Sequence, residues 1–206
     1  MGNGIIGIAL GVGMLATGQG ASAQNVDQPD RPVLCALVTN QAKVARKVLA
    51  AAEKDAAAIY AAAGVEVIWV HEPLGRGTHP TCQVDVVVEL LHESGAKAFP
   101  PGVSPLALGI ALVSPTAVGR RGNTAWIIFD RVEKHAVAHK IQISRLCGIA
   151  MAHEMGHMML PPGHSKTGLM HETWDLRTGF LEYFDESQAR TIRTQLTPAK
   201  PTDSTR

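Results

Sequence analysis

Residues 153–164 read HEMGHMMLPPGH and place three of the chain's nine histidines and one carboxylate within twelve positions. His153 and His157 are four residues apart, which on an α-helix is about 40° of rotation and about 6 Å of rise. Both imidazoles then leave the same face and can share one ion. Glu154 stands about 100° round from His153, too far to be a natural ligand of that ion but near enough to reach a water beside it. Geometry alone thus separates two ligands from a base.

Two protein ligands leave a catalytic zinc site incomplete, because such sites take three and keep a position open for water. Pro161, Pro162 and Gly163 form a helix-breaking turn, and His164 follows at once. A chain that reverses there brings His164 back toward the first two histidines. Two blander readings stand beside this one. His153 is then a core histidine with His157 and Glu154 facing solvent, or the metal is structural or stored. A structural zinc site wants four closed ligands, yet Cys147 lies six residues before His153 and about 240° round the helix, on a different face.

The elements that must position these residues are legible as periodicities. Pro32–Val38 is a short apolar run suited to a buried strand. From Gln41 to Ala63, Val44, Val48, Leu49, Ala52, Ala56, Ile59 and Tyr60 recur at three- and four-residue steps, an amphipathic helix stopped at Gly64. Val65–Val70 and Val84–Leu91 are β-branched strands separated by the turn-rich HEPLGRGTHPTC, and Leu108–Val113 and Ala125–Phe129 are two more, joined by a loop with Gly119, Arg120, Arg121 and Gly122. A second helix is expected over Ile141–Leu160 and a last one over Asp185–Leu196. The pattern implies an α+β domain with one mixed sheet of about five strands.

The chain has 206 residues, is 46% hydrophobic and has a formal net charge of +1, which suits a single domain with a real core. Its 19 basic and 18 acidic residues are interspersed, without the basic stripe that a nucleic-acid backbone requires. Residues 1–23 carry no charge and end Ala21-Ser22-Ala23, reading as a secretory signal cleaved before Gln24. A membrane anchor is the rival, but the apolar run is well short of the ~20 residues a spanning helix needs. Residues 24–196 then form the catalytic domain and 197–206 a loose tail. Export would put Cys35, Cys82 and Cys147 in an oxidising compartment; any one pair can form, and three buried free thiols are the alternative.

The stretch HEMGHMMLPPGHSKTGLM resembles the zinc motif of the metzincin metallopeptidases, in which H-E-x-x-H-x-x-G-x-x-H is followed by a methionine in a tight turn under the metal. That resemblance implies Zn2+ held by His153, His157 and His164, with Glu154 as general base and Met170 as the Met-turn residue. Leu160 replaces the family's glycine, and His164 arrives one residue late. The order of strands and helices also resembles the metzincin order over nearly the whole chain. AWIIFDRVEKHA, CGIAMAHEMGHMML and HSKTGLMHETWD resemble segments of a group of small, exported, largely uncharacterised bacterial proteins described as zinc metallopeptidases.

The function implied is a secreted or periplasmic zinc endopeptidase whose partner is a peptide or protein substrate, laid along an edge strand for which Leu108–Val113 is the candidate. A zinc hydrolase of a non-peptide amide and a non-catalytic metal-binding protein of the same fold fit the same residues. Elsewhere, His135 and His139 repeat the four-residue spacing without an adjacent Glu and read as a solvated helix face. His171 and Trp174 are candidates for a pocket wall, with plain packing favoured for Trp174. His71 and His79 read as exposed, and Asp130 as a brace or a partner to a ligand histidine. Cys35, early enough to suggest a latency cysteine, reads instead as core or disulfide.

Overall fold

Alternate residues of the first strand, Leu34, Ala36 and Val38, are buried against helices, because a strand sends successive side chains to opposite faces. In the computed structural model of the chain, residues 31–71, 85–94, 103–113, 123–174 and 182–197 are described. Strand β1 (Val33–Asn40) is flanked by β2 (Glu66–His71) and β3 (Val86–Leu91), and β4 (Gly109–Leu112) and β5 (Thr124–Ile128) complete the sheet. The order is β2-β1-β3-β5-β4. All neighbours are parallel except β4, which runs antiparallel to β5 at the edge. The fold is α+β, with the five expected strands in one mixed sheet.

Helix α1 (Arg46–Ala62) buries Leu49, Ala52, Ala56, Ile59 and Tyr60 on one face. It ends as expected at Gly64, whose φ of +79° favours glycine, while Val65 N–H reaches back to Tyr60 C=O at 3.0 Å. The Arg193 guanidinium from helix α4 (Glu186–Leu196) donates to Ala63 C=O at 2.7 Å, tying the last helix to this end. At the start of α4, Asp185 and Gln188 form a capping box.

An additional helix, α2 (Phe129–His139), lies along the chain between β5 and the helix that carries His153. Its buried residues Phe129, Val132 and Ala136 are a helical stripe diluted by charge, so Phe129 opens a helix instead of closing the expected strand. Lys140 in the left-handed conformation ends α2, with Ile141 N–H bonded to Ala136 C=O at 2.9 Å. That break sets the start of helix α3 (Ile143–Gly156).

Helices α1 and α3 cross closely at small residues. A Cβ on Gly148 would stand 2.6 Å from Ala52 C=O and 2.9 Å from Asp55 Cβ. Asp55 also pairs with Arg145 at 2.9 Å, but both are partly exposed, and such pairs contribute only about 0–1 kcal/mol. Packing sets the crossing. Tyr60, fully buried, donates its hydroxyl to Ala152 C=O at 3.2 Å and so props α3 one residue before His153.

Cys35 is buried and disulfide-bonded, whereas Cys147 is buried and free, which disposes of three free thiols. Burial, with Glu53 adding to it, pushes the Cys147 thiol up to about 12. Cys82, His79, the loop at 114–122, the expected signal at 1–23 and the tail beyond Thr197 lie outside the described residues. Among the described residues no helix is long and apolar enough to cross a membrane.

Candidate metal centre

Every residue of α3 from Leu146 to Gly156 is buried, so His153 and Glu154 are polar groups carried into the core by an otherwise apolar helix. His153 is 5% exposed and Glu154 7%. His157 sits at the helix end with its N–H on His153 C=O at 3.2 Å, which preserves the four-residue relation. The two Nε2 atoms approach to 3.0 Å. Their rings are 4.7 Å apart and nearly perpendicular, at 84°.

Helix α3 ends at Gly156, four residues before the expected end at Leu160. The chain tightens first, with Met158 N–H on Met155 C=O and Met159 N–H on Gly156 C=O, both at a three-residue step. Those bonds draw Met158 and Met159 into the core. Pro161 and Pro162 then exclude further helix, and Gly163, at φ +106°, makes the reversal. A Cβ there would meet nothing within 4 Å, so Gly163 is needed for its backbone angle and not for space. His164, though exposed, lies with its ring 5.4 Å from His153 and 4.9 Å from His157.

One nitrogen from each of the three histidines falls within 4.8 Å of the others. A tetrahedral zinc ion with Zn–N near 2.1 Å separates its nitrogens by about 3.4 Å, so a small contraction about His164 completes the set. Burial holds both His153 and His157 down to about 4, with the neighbouring imidazoles adding to the effect. Near neutral pH these two rings are uncharged and offer lone pairs. The donor set therefore fits a metal ion.

Backbone fixes which nitrogen each task receives. His153 Nδ1 lies 2.7 Å from Leu169 C=O, and a carbonyl only accepts, so Nδ1 carries the proton and Nε2 the lone pair. Leu169 sits in a tight turn closed by His171 N–H on Gly168 C=O, and Ser165 N–H bonds Met170 C=O at 2.8 Å, joining this turn to the reversal. Met170 is 2% exposed. Its sulfur would lie 2.7 Å from a Cβ on Gly156, so the methionine packs directly beneath the end of α3.

Glu154 turns toward the sheet edge. A Cβ on Gly109 would stand 2.6 Å from Glu154 Cγ and 2.8 Å from Trp126 C=O, and glycine in a strand often marks such a close approach. Burial pushes the Glu154 carboxyl up to about 8, against the opposing effect of Ala111 N–H, which donates to it. A cation held by the histidines would favour the carboxylate. The Glu154 carboxyl is thus seated against β4, which is the edge strand expected from Leu108–Val113.

The remaining candidates separate cleanly. Asp130 does not meet the three clustered histidines; it accepts Glu93 N–H at 2.9 and 3.0 Å and braces the exit of β3. His71 lies 3.4 Å from Glu53 on α1 with half its side chain exposed. His171 is engaged with Thr173 in its own loop. Trp174 does belong to the centre: its indole N–H donates to Leu169 C=O at 2.9 Å, and its ring lies edge-on to His153, 5.1 Å away. Sequence reasoning missed Leu169 because a carbonyl acceptor is independent of residue type. For Gly109 the signal was present, a lone glycine inside a strand.

No protein-family model matches the chain, and no curated protein matches it in sequence.

Proposed function

We propose that the chain is a zinc-dependent endopeptidase of the metzincin type, exported to an oxidising compartment. The observation that carries this reading is the convergence of three imidazoles on one point, with a buried carboxylate seated between them and an edge strand. A three-nitrogen set that leaves a position open suits catalytic zinc, which when bound supplies Lewis acidity toward a carbonyl oxygen and toward water. Glu154 takes the proton of the attacking water and returns it to the departing amide nitrogen. His153, His157 and His164 hold the charge in place. An extended peptide pairs along the outer side of β4. The disulfide at Cys35 supports export.

The test is zinc content of the purified chain together with a peptide-library cleavage profile for the wild type and Glu154→Gln. One zinc per chain in both, with cleavage lower in the variant by at least about 100-fold, is the expected result. If both hold zinc and cleave equally poorly, hydrolysis is not the function. His164→Ala that keeps full zinc affinity would remove the third ligand from the assignment.

A further inference from the structure

A histidine ligand needs its ring held at one angle, and the group that fixes its other nitrogen is usually as important as the metal face itself. In this chain that group is a single peptide carbonyl, Leu169 C=O, and it has two donors: His153 Nδ1 at 2.7 Å and Trp174 Nε1 at 2.9 Å. A carbonyl oxygen has two lone pairs, so both are used. The same residue is anchored on its other side, where Leu169 N–H donates to Tyr183 C=O at 2.9 Å, and the Leu169 side chain is fully buried. Trp174 also closes on the imidazole directly, its ring 5.1 Å from that of His153 at 78°.

We infer that Trp174 is a positioning residue for the metal centre, holding His153 through the shared Leu169 carbonyl and through ring-to-ring packing so that Nε2 stays aimed at His157 Nε2. The inference rests on the metal-binding reading of the three histidines. Trp174 itself offers no ligand atom, since an indole N–H is a donor only. Its action is on ring angle. His157 has no such brace among the described contacts, so His153 is the fixed member against which the other two adjust.

The test uses the full chain stripped of metal by chelation. Zn2+ affinity is measured by competition with a chromophoric chelator, and Co2+ is added separately as a spectroscopic probe of ligand geometry. Trp174→Ala is expected to weaken Zn2+ binding by about 10- to 100-fold, the range for removing a group that orients a ligand, and to shift the Co2+ visible bands. Trp174→Phe, which keeps a ring but lacks the N–H, is expected to recover only about half of that loss on a logarithmic scale and to leave the Co2+ bands shifted from those of the wild type. A purely structural tryptophan would lower the melting temperature of the metal-free chain while leaving Zn2+ affinity within about twofold and the Co2+ bands unmoved, and that result overturns the inference. If Trp174→Ala fails to fold, Trp174→Phe decides alone: shifted Co2+ bands support the role, and unshifted bands with wild-type affinity overturn it. Failure of the wild type to bind either ion sinks the metal centre itself, a separate outcome.

Discussion

The four-residue histidine spacing occurs twice, and the two pairs differ in everything but spacing. His135 and His139 on α2 stack nearly parallel, at 7° and 6.1 Å between ring centres, with His139 exposed. His153 and His157 on α3 meet at 84° and 4.7 Å with their Nε2 atoms 3.0 Å apart. The second pair has a backbone acceptor for Nδ1, a carboxylate at the next residue and a third imidazole delivered by a turn. Among the described residues, His153, His157 and His164 are the one cluster of three such groups close enough to share an ion. Spacing on a helix therefore supplies only the opportunity for chelation. The centre is made by what surrounds the helix: α3 is buried throughout its second half, whereas α2 hides only a narrow stripe.

That contrast can be broken at several points. The largest effect concerns burial. Cys147 shares α3 with the ligand pair, and a thiol pushed from an ordinary 9.0 up to about 12 has about 1000-fold less thiolate at pH 8. Iodoacetamide labelling followed by mass spectrometry should therefore be slowed at least that much in the native chain and restored in denaturant. Ready labelling of the native protein would mean that α3 is not packed as described. Next, His153→Ala or His157→Ala should each weaken zinc by about 100-fold. A ligand's share of the roughly 10–16 kcal/mol of a four-ligand zinc site is about 2.5–4 kcal/mol. Chelator competition measures it, and a loss under tenfold would sink the pair as ligands.

Gly148→Ala should destabilise the chain by about 1–3 kcal/mol in urea unfolding, because the added methyl meets backbone in the α1–α3 crossing. A neutral result would show that the crossing has slack, and with it the platform under His153. The smallest effect is expected at the other pair. His135→Ala with His139→Ala should leave tight zinc binding within about twofold and stability within about 0.5 kcal/mol per substitution, as for surface changes. Loss of the tight site in that double variant would overturn the distinction between the pairs.

Much of this arrangement is legible in the sequence. The apolar run of β1 and the β-branched runs of β2 and β3 located the sheet, and the stop at Gly64 followed from local backbone chemistry. Helix α2 shows in the sequence only as the solvated helix face at His135 and His139, because only Phe129, Val132 and Ala136 carry its apolar stripe, too few to mark its bounds among the charged residues between them. The early end of α3 was hidden for a different reason. Pro161 announces that a helix must stop, but the tightening at Met158 and Met159 depends on a core able to receive them.

By itself the sequence determined the histidine spacing, the carboxylate beside it and the turn before His164, since these follow from helix geometry, the missing proline N–H and the backbone freedom of Gly163. Only the tertiary structure decided that the turn folds back onto α3 and that Leu169 C=O selects the His153 tautomer. It alone placed Glu154 under the edge strand at Gly109. Those outcomes rest on contacts between segments far apart along the chain, and on backbone groups that every residue type carries alike.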